Sequence, residues 1–265
     1  MPDGIRGDWK YKNKFWIKEY IKDVQKIIDQ IYSNNKKLSC FFVESILGCG
    51  GQIILPPNYL KETFKLVRKK SALCIIDEVQ TGFGRVGNNF WGFEEHGVVP
   101  DIITLGKPMG NGHPISAVVT TKEIANVFNN GMEYFNSFGG NPVSCAVGNA
   151  VLEVIENEQL QKRALDVGKY FLNSLNLINK NHPKLISEVR GRGLFIGIDF
   201  VNNSINEPNK KLASLIINKL RNQGILLSTD GPYHNVIKIK PPLPFTKEDS
   251  DFVSQELDQL LRSLY

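Results

Sequence analysis

Long apolar runs, paired cysteines and concentrated charge are all missing from this 265-residue sequence. No stretch approaches the roughly 20 apolar residues that cross a bilayer, and the opening MPDGIRGDWKYKNKFW lacks the apolar core of a secretory signal. A membrane protein is therefore not expected. The four cysteines, Cys40, Cys49, Cys74 and Cys145, form no CxxC pair, and two of them lie inside apolar runs where a thiol packs as a small hydrophobe. A reducing, cytoplasmic compartment fits better than a disulfide framework, and no metal site is expected. The net charge of +5 is modest, and the lysines come in short groups such as Lys36 with Lys37, Lys69 with Lys70 and Lys210 with Lys211. Nucleic acid is not an expected partner. No internal repeat is present.

What is there is an alternation. From about residue 38 to 121, apolar runs of strand length (LSCFFVES, ALCIID, DIITLGK, ISAVVTT) alternate with helical patterns such as NYLKETFKLVRKK. This is the α/β signature of a mostly parallel sheet covered on both faces. Upstream, KEYIKDVQKIIDQIYSNNKK repeats its apolar positions with a helical period. Downstream, Asn141 and Pro142 form a strong helix start, and a long helical region runs on to about residue 178. Strands are expected near LISEVRG, GLFIGIDF, GILLST and NVIKIK, with helices near KLASLIINKLRNQ and at the C-terminus, where Thr246 and Asp249 form a capping box. The segment NNSINEPNKK reads as a polar surface loop. Two parts follow: residues 1–145, built on the parallel sheet, and residues 146–265, a connecting helix leading into a smaller C-terminal α/β unit.

Glu44, Asp77 and Lys107 each follow an apolar run, with 33 residues from the first to the second and 30 from the second to the third. Each interval suits one βαβ unit, and parallel strands carry such end residues to one edge of the sheet, where open α/β folds bind ligands. A lysine closing a strand is ordinarily a solvated end residue. Here Gly106, Gly110 and Gly112 remove side chains around Lys107 and leave room for a flat ligand. A partly desolvated lysine in that place forms a Schiff base with a carbonyl. Asp77 facing it has the chemistry to hold a proton on the pyridine nitrogen of pyridoxal phosphate, so that the ring acts as an electron sink. Glu78, pointing to the opposite side of the strand, reads as a structural acid. In NSFGGNP, a hydroxyl and two glycines before a helix start make a plausible phosphate site.

The stretches CIIDEVQTGFGR, DIITLGKPMGNGHP and SFGGNP, in this order and spacing, resemble the class-III (ornithine and 4-aminobutyrate type) aminotransferases, which are fold type I pyridoxal-phosphate enzymes. The resemblance covers nearly the whole chain. It implies that Lys107 carries the cofactor as a Schiff base, that Asp77 pairs with the pyridinium and that Gln80 lies near the ring hydroxyl. It also implies that Ser137, where the family usually has Thr, reaches the cofactor phosphate of the neighbouring subunit, so a homodimer with a shared active site is expected. The stretches ESILGCGGQIILPPNYL, GMEYFNSFGGNPVSCAVG and LLSTDGPYHNVIKIKPPLPFTKED are similar to the branch holding ethanolamine-phosphate phospho-lyase and 5-phosphohydroxy-lysine phospho-lyase.

One departure bears on the reaction. Where ordinary members carry an Arg before PPL that clamps the substrate carboxylate, this chain has Lys238, a point charge that cannot make the bidentate fork. Glu44 matches the family's active-site Glu that balances that Arg, and is expected to meet Lys238 or Lys240 instead. The resemblance thus implies a phospho-lyase that releases ammonia and phosphate from ethanolamine phosphate or 5-phosphohydroxylysine, with Glu44 and Lys238 at the substrate. A class-III transaminase acting on an omega-amine or amino acid is the alternative, and a catalytically inactive partner of a full-length subunit is another. His113, Trp91 and Phe93 read as structural, and Arg190 and Arg192 as either anion-binding or surface ion pairs. The SGSEAN loop of relatives has no counterpart here, so the chain is expected to begin partway through the large domain, as a partial large domain plus a C-terminal small domain, with strand edges and apolar surface exposed over residues 1–140. A mitochondrial location becomes an option if an N-terminal segment precedes it.

Overall fold

A computed structural model describes residues 1–202 and 207–264. Its first sheet has the order β1-β4-β5-β6. Strands β1 (Cys40–Glu44), β4 (Leu73–Asp77) and β5 (Ile102–Leu105) run parallel, and β6 (Ala117–Thr120) is antiparallel to β5. Helix α1 (Trp16–Ser33) and helix α2 (Tyr59–Arg68) lie on one face of it. There Cys74 and Ile76, alternate residues of β4, pack with Leu60, Phe64 and Val67, all at most 2% exposed. The helical segments therefore form because their apolar stripes have that face to bury.

The cover on both faces that the alternation implies is not seen, whereas the exposed apolar surface expected over residues 1–140 is. Side chains of the opposite face include Phe42, 55% exposed, and Val118, 67% exposed. The reason lies in the path of the chain: α1, α2 and Val151 and Ile155 of a helix downstream of β6 all pack on the same face, the last two beside Ile103 and Leu105. Between β1 and α2 the chain makes an unforeseen hairpin, β2 (Ile46–Leu47) with β3 (Ile53–Ile54).

Helix α3 (Lys122–Phe128) follows β6 and buries none of its residues. Helix α4 (Pro142–Asn157) begins where expected, with Asn141 Oδ1 accepting from Ser144 N at 2.9 Å. After a break at Gln159, α5 (Leu160–Asn181) packs on the second sheet, which has the order β10-β11-β8-β7 and is antiparallel throughout. Its strands are β7 (Ile186–Arg192), β8 (Phe195–Asn202), β10 (Ser228–Asp230) and β11 (Val236–Ile239). Strand β10 is shorter than GILLST implies, because residues 224–227 lead into it without pairing. Helices α6 (Lys210–Arg221) and α7 (Lys247–Arg262) complete this unit, the latter with the expected Thr246–Asp249 capping box. Part of the expected polar loop is strand: Glu207–Pro208 (β9) pairs with Val201 and Asn202, while the expectation for residues 203–206 lies outside the described residues. The core of the second unit gathers Phe171, Leu175, Ile198, Phe200, Ile216 and Leu257.

The two units are joined by buried charge. Arg190 is only 8% exposed, and its Nε and Nη2 donate to Gly51 O at 2.9 and 2.7 Å. Its Nη1 meets Glu188 at 2.6 Å and Asp199 at 3.6 Å, and Arg6 from the N-terminal segment also pairs with Asp199. Arg190 is thus a buried ion pair and not a surface one, its guanidinium held by Gly51 O, Glu188 and Asp199. Arg192 pairs with Glu95 at 3.3 Å.

Two residues of α5 separate burial from helix propensity. Phe171 is fully buried and Leu177 is 60% exposed. Phe171→Ala is expected to cost about 3–5 kcal/mol of unfolding free energy in urea titration, and Leu177→Ala to stay within about 0.5 kcal/mol apart from small propensity effects. Equal losses would contradict the assigned core.

Candidate active site

Strand pairing sets the first geometry. Glu44 stands opposite Asp77, and Asp77 opposite Thr104, in the parallel register of β1, β4 and β5. These side chains share the face that α1 and α2 leave open, at the C-terminal edge of the sheet. Asp77 accepts Val79 N at Oδ1 (2.8 Å), and the hydrogen bonds of the described residues leave its Oδ2 unused. Next to it, Thr104 Oγ1 is buried with no hydrogen-bond partner among the described residues.

Glu78 points the other way and is completely buried. Its carboxylate accepts Gly92 N (2.9 Å), Phe93 N (2.8 Å) and Thr81 Oγ1 (2.8 Å), and Ser45 Oγ donates to Thr81 in turn. Burial pushes its pKa up, and these donors pull against that rise. Glu78 is therefore the acid that ties down the loop after β4. Trp91 and Phe93 on that loop are partly buried against neighbouring core clusters, as their apolar character implies.

Lys107 lies two residues beyond β5, at the start of a short 3-10 turn, Lys107–Met109. Its side chain is exposed, not partly desolvated as the surrounding glycines imply, because those glycines add no side chains to cover it. The amine has no hydrogen-bond partner among the described residues. A Cβ at Gly110 would lie 2.1 Å from His113 O, so this turn closes only with glycine. His113 is structural in the way expected: its Nε2 lies 2.7 Å from Ser144 Oγ, joining the lysine turn to the start of α4. Ser137 sits in the exposed loop between α3 and α4, away from the contacts of the other candidates, beside Phe135 and Phe138 at 80% and 82% exposure.

Glu44, Gln80 and the two lysines form one hydrogen-bonded arc. Glu44 accepts Gly48 N at 2.9 Å and Gln80 Nε2 at 3.0 Å, and burial raises its pKa. Gln80 Oε1, oriented by that contact, accepts from Lys240 Nζ. Lys238 instead meets Asp230 at 2.9 and 3.1 Å, and Asp230 accepts from Gln52 Nε2, which also donates to Gly48 O (both 2.9 Å). Glu44 thus reaches Lys240 through Gln80 and does not meet Lys238. A Cβ at Gly48 would come within 2.6 Å of Gln80 Nε2, so the arc turns on a glycine.

Lys240 lies over the Phe195 ring, 4.9 Å from its centroid. Burial first, then the charge of Lys238, lowers its pKa to about 8, with Lys107 and Arg85 adding to the effect. Arg85 in turn donates to Leu194 O (3.3 Å) and Pro241 O, which fixes the loop of Gln80 against the end of β11.

The donor set fits a pyridoxal phosphate ring and its aldehyde: an unpartnered amine at Lys107, an available carboxylate oxygen at Asp77, an orphaned Thr104 hydroxyl and the Gln80 amide. Gly48, Gln52, Asp230 and Arg85 belong to the site but were not marked by sequence. Their contacts join residues far apart in the chain, and only the GCGG run around Gly48 hinted at a turn.

Two measurements check these assignments. Glu78→Gln turns an amide N–H toward backbone donors and is expected to cost about 1–3 kcal/mol in urea unfolding; an unchanged midpoint would contradict the role given to Glu78. For Lys240, the folded protein binds fewer protons than the unfolded chain between about pH 8 and the ordinary lysine value, so its contribution to stability grows as pH rises through that window. Acylation of lysines followed by mass spectrometry is expected to show half-maximal Lys240 reactivity near pH 8. A midpoint about 2 units higher, like an unperturbed lysine, would contradict it.

The class-III aminotransferase family model matches residues 6–261. The chain is 46% identical over 235 residues to a Drosophila melanogaster protein named alanine–glyoxylate aminotransferase 2-like, covering 88% of this chain and 47% of that one. It is 44% identical over 248 residues to ethanolamine-phosphate phospho-lyase homolog 1 of Caenorhabditis elegans, covering 92% and 53%. Among solved structures, a phospholyase from Arthrobacter in complex with phosphoethanolamine matches with a TM-score of 0.94 at 38% identity, over 100% of this chain and 63% of that one. An aminotransferase from Bacillus anthracis matches with a TM-score of 0.88 at 32% identity, over 99% and 60%. The chain spans about half the length of the curated relatives it matches. With its fold, its crevice and these matches in agreement, the chain belongs to the class-III aminotransferases, pyridoxal-phosphate-dependent enzymes of fold type I.

Proposed function

We propose that the chain carries the active-site half of a phospho-lyase that releases ammonia and phosphate from a phosphorylated primary amine, ethanolamine phosphate or 5-phosphohydroxylysine. The observation that carries this reading is the pairing of Lys238 with Asp230 at 2.9 Å. The residue in the place of the family's carboxylate-clamping Arg is a lysine already held by an acid, so an amino-acid carboxylate finds no free bidentate cation there. Ethanolamine phosphate has no carboxylate to clamp. The names of the worm relative and of the Arthrobacter phospholyase agree with that preference.

In this reading Lys107 holds the cofactor, gives up its place to the substrate amine and then removes the proton from the amine-bearing carbon. Asp77, through its available oxygen, holds a proton on the ring nitrogen. Bound pyridoxal phosphate supplies a conjugated ring that takes up the electron pair when that C–H bond breaks. Gln80, fixed by Glu44 and Lys240, presents its remaining amide hydrogen toward the ring. Ser137 contacts the cofactor phosphate of a neighbouring copy, which makes the functional unit a homodimer. The uncovered Phe135 and Phe138 beside it fit a loop that packs against a second chain. Residues 1–145 then belong to the cofactor domain and 146–265 to the connecting helix and small domain. A cytoplasmic site of action accompanies this reading.

The test is product analysis on the cofactor-loaded protein. Ethanolamine phosphate or 5-phosphohydroxylysine, with one water, is expected to yield phosphate, ammonia and an aldehyde in equal amounts without added keto acid. Lys107→Ala is expected to lower turnover by at least about 100-fold, the scale of losing a positioned base. Turnover that requires a keto acid and releases no phosphate would replace the lyase by a transaminase.

A further inference from the structure

We propose that Lys240, and not Lys238, is the residue that binds the phosphate group of the substrate. The proposal rests on the phospho-lyase reading for its substrate, but its geometry is independent of it. The two lysines are alternate residues of one strand end, yet their surroundings differ. Lys238 is held by both oxygens of Asp230, at 2.9 and 3.1 Å, and that carboxylate is steadied by Gln52. Its charge is neutralised where it stands. Among the described residues Lys240 has no ion-pair partner; it donates to a neutral amide, Gln80 Oε1, and lies over the face of Phe195 at 4.9 Å. An ammonium group has three donors, so two remain for a ligand.

The field around Lys240 points the same way. The charged groups acting on it are Lys238 and Asp230 from the neighbouring strand ends, Lys107 from the turn after β5 and Arg85 from the loop after β4. Glu44 reaches it both through Gln80 and directly, its carboxyl feeling the Lys240 charge. Among these the cations dominate, and half-burial sharpens their mutual repulsion, which an incoming dianion relieves. Lys240 is close enough to Lys107 to feel its charge, so a phosphate held by Lys240 stands within the same field as the amine that must react. Lys238, by contrast, would have to give up Asp230 before it bound anything, leaving a carboxylate beside the dianion. A substrate lacking phosphate gains nothing from Lys240, so this lysine sets specificity and does no chemistry on the reacting carbon.

The experiment compares Lys240→Gln and Lys238→Gln in the cofactor-loaded protein, with ethanolamine phosphate as substrate and inorganic phosphate as competing ligand. Lys240→Gln is expected to raise the KM for ethanolamine phosphate and the inhibition constant of phosphate by about 10- to 100-fold, the scale of a lost charge-assisted contact. Lys238→Gln is expected to change both by at least tenfold less. In the unsubstituted protein, inorganic phosphate is expected to slow acylation of Lys240 and leave Lys238 unaffected, a readout that needs no variant to fold. Affinity for phosphate should weaken as pH rises through about 8, where Lys240 loses its proton. If phosphate is released from substrate but the phosphate affinity of Lys240→Gln is unchanged, or phosphate protects Lys238 instead, the proposal is wrong and the lyase reading stands. If no phosphate is released from any substrate while phosphate binding still depends on Lys240, the lyase reading fails and the anion site stands.

Discussion

The parallel register of β1, β4 and β5 is the constraint on which the site depends. Because Glu44, Asp77 and Thr104 are neighbours across the strands, their side chains reach one edge of the sheet on one face. Strand alternation then separates two adjacent acids completely. Asp77 keeps an oxygen available at the crevice, while Glu78 is buried on the far side and committed to Gly92, Phe93 and Thr81. A one-residue slip of β4 would exchange the two, putting the structural acid at the rim and the cofactor's acid in the core.

From that edge, neutral amides carry position outward between charged groups. Glu44 orients the Gln80 amide, the amide orients Lys240, and on the other branch Gly48 and Gln52 hold Asp230 against Lys238. Each net contribution to stability is about 1–3 kcal/mol, and an unmet buried partner would cost at least as much, so the arc favours one arrangement of its members. Two lysines close in sequence thereby acquire different chemistry: one neutralised by an acid, the other left with an amide and an aromatic face. The buried Arg190 and Asp199 serve a different end, fastening the second unit to the Gly51 turn so that β11 meets the first sheet in a fixed place.

Much of this was legible before any coordinates. The period-2 and helical runs marked most elements, the spacing of Glu44, Asp77 and Lys107 marked one edge, and Asn141 with Pro142 marked the start of α4. What was not legible came from contacts between distant segments. Nothing local announces that Asp230 captures Lys238, that Gln80 stands between Glu44 and Lys240, or that Arg190 is buried. The exposed apolar surface over residues 1–140 is expected from the missing part of the sheet, but which residues carry it is not: a strand's composition shows that it can be buried, while the neighbours that bury it are set by the path of the chain. Phe42 and Val118, apolar and uncovered, are the residues where that difference shows.

The central claim is that this edge of the sheet holds pyridoxal phosphate through Lys107. Borohydride reduction of the cofactor-loaded protein, followed by peptide mass mapping, tests it most directly. The account predicts a stable pyridoxyl-phosphate adduct on the peptide containing Lys107, absent from Lys107→Ala. An adduct on any other lysine, Lys240 included, would contradict it.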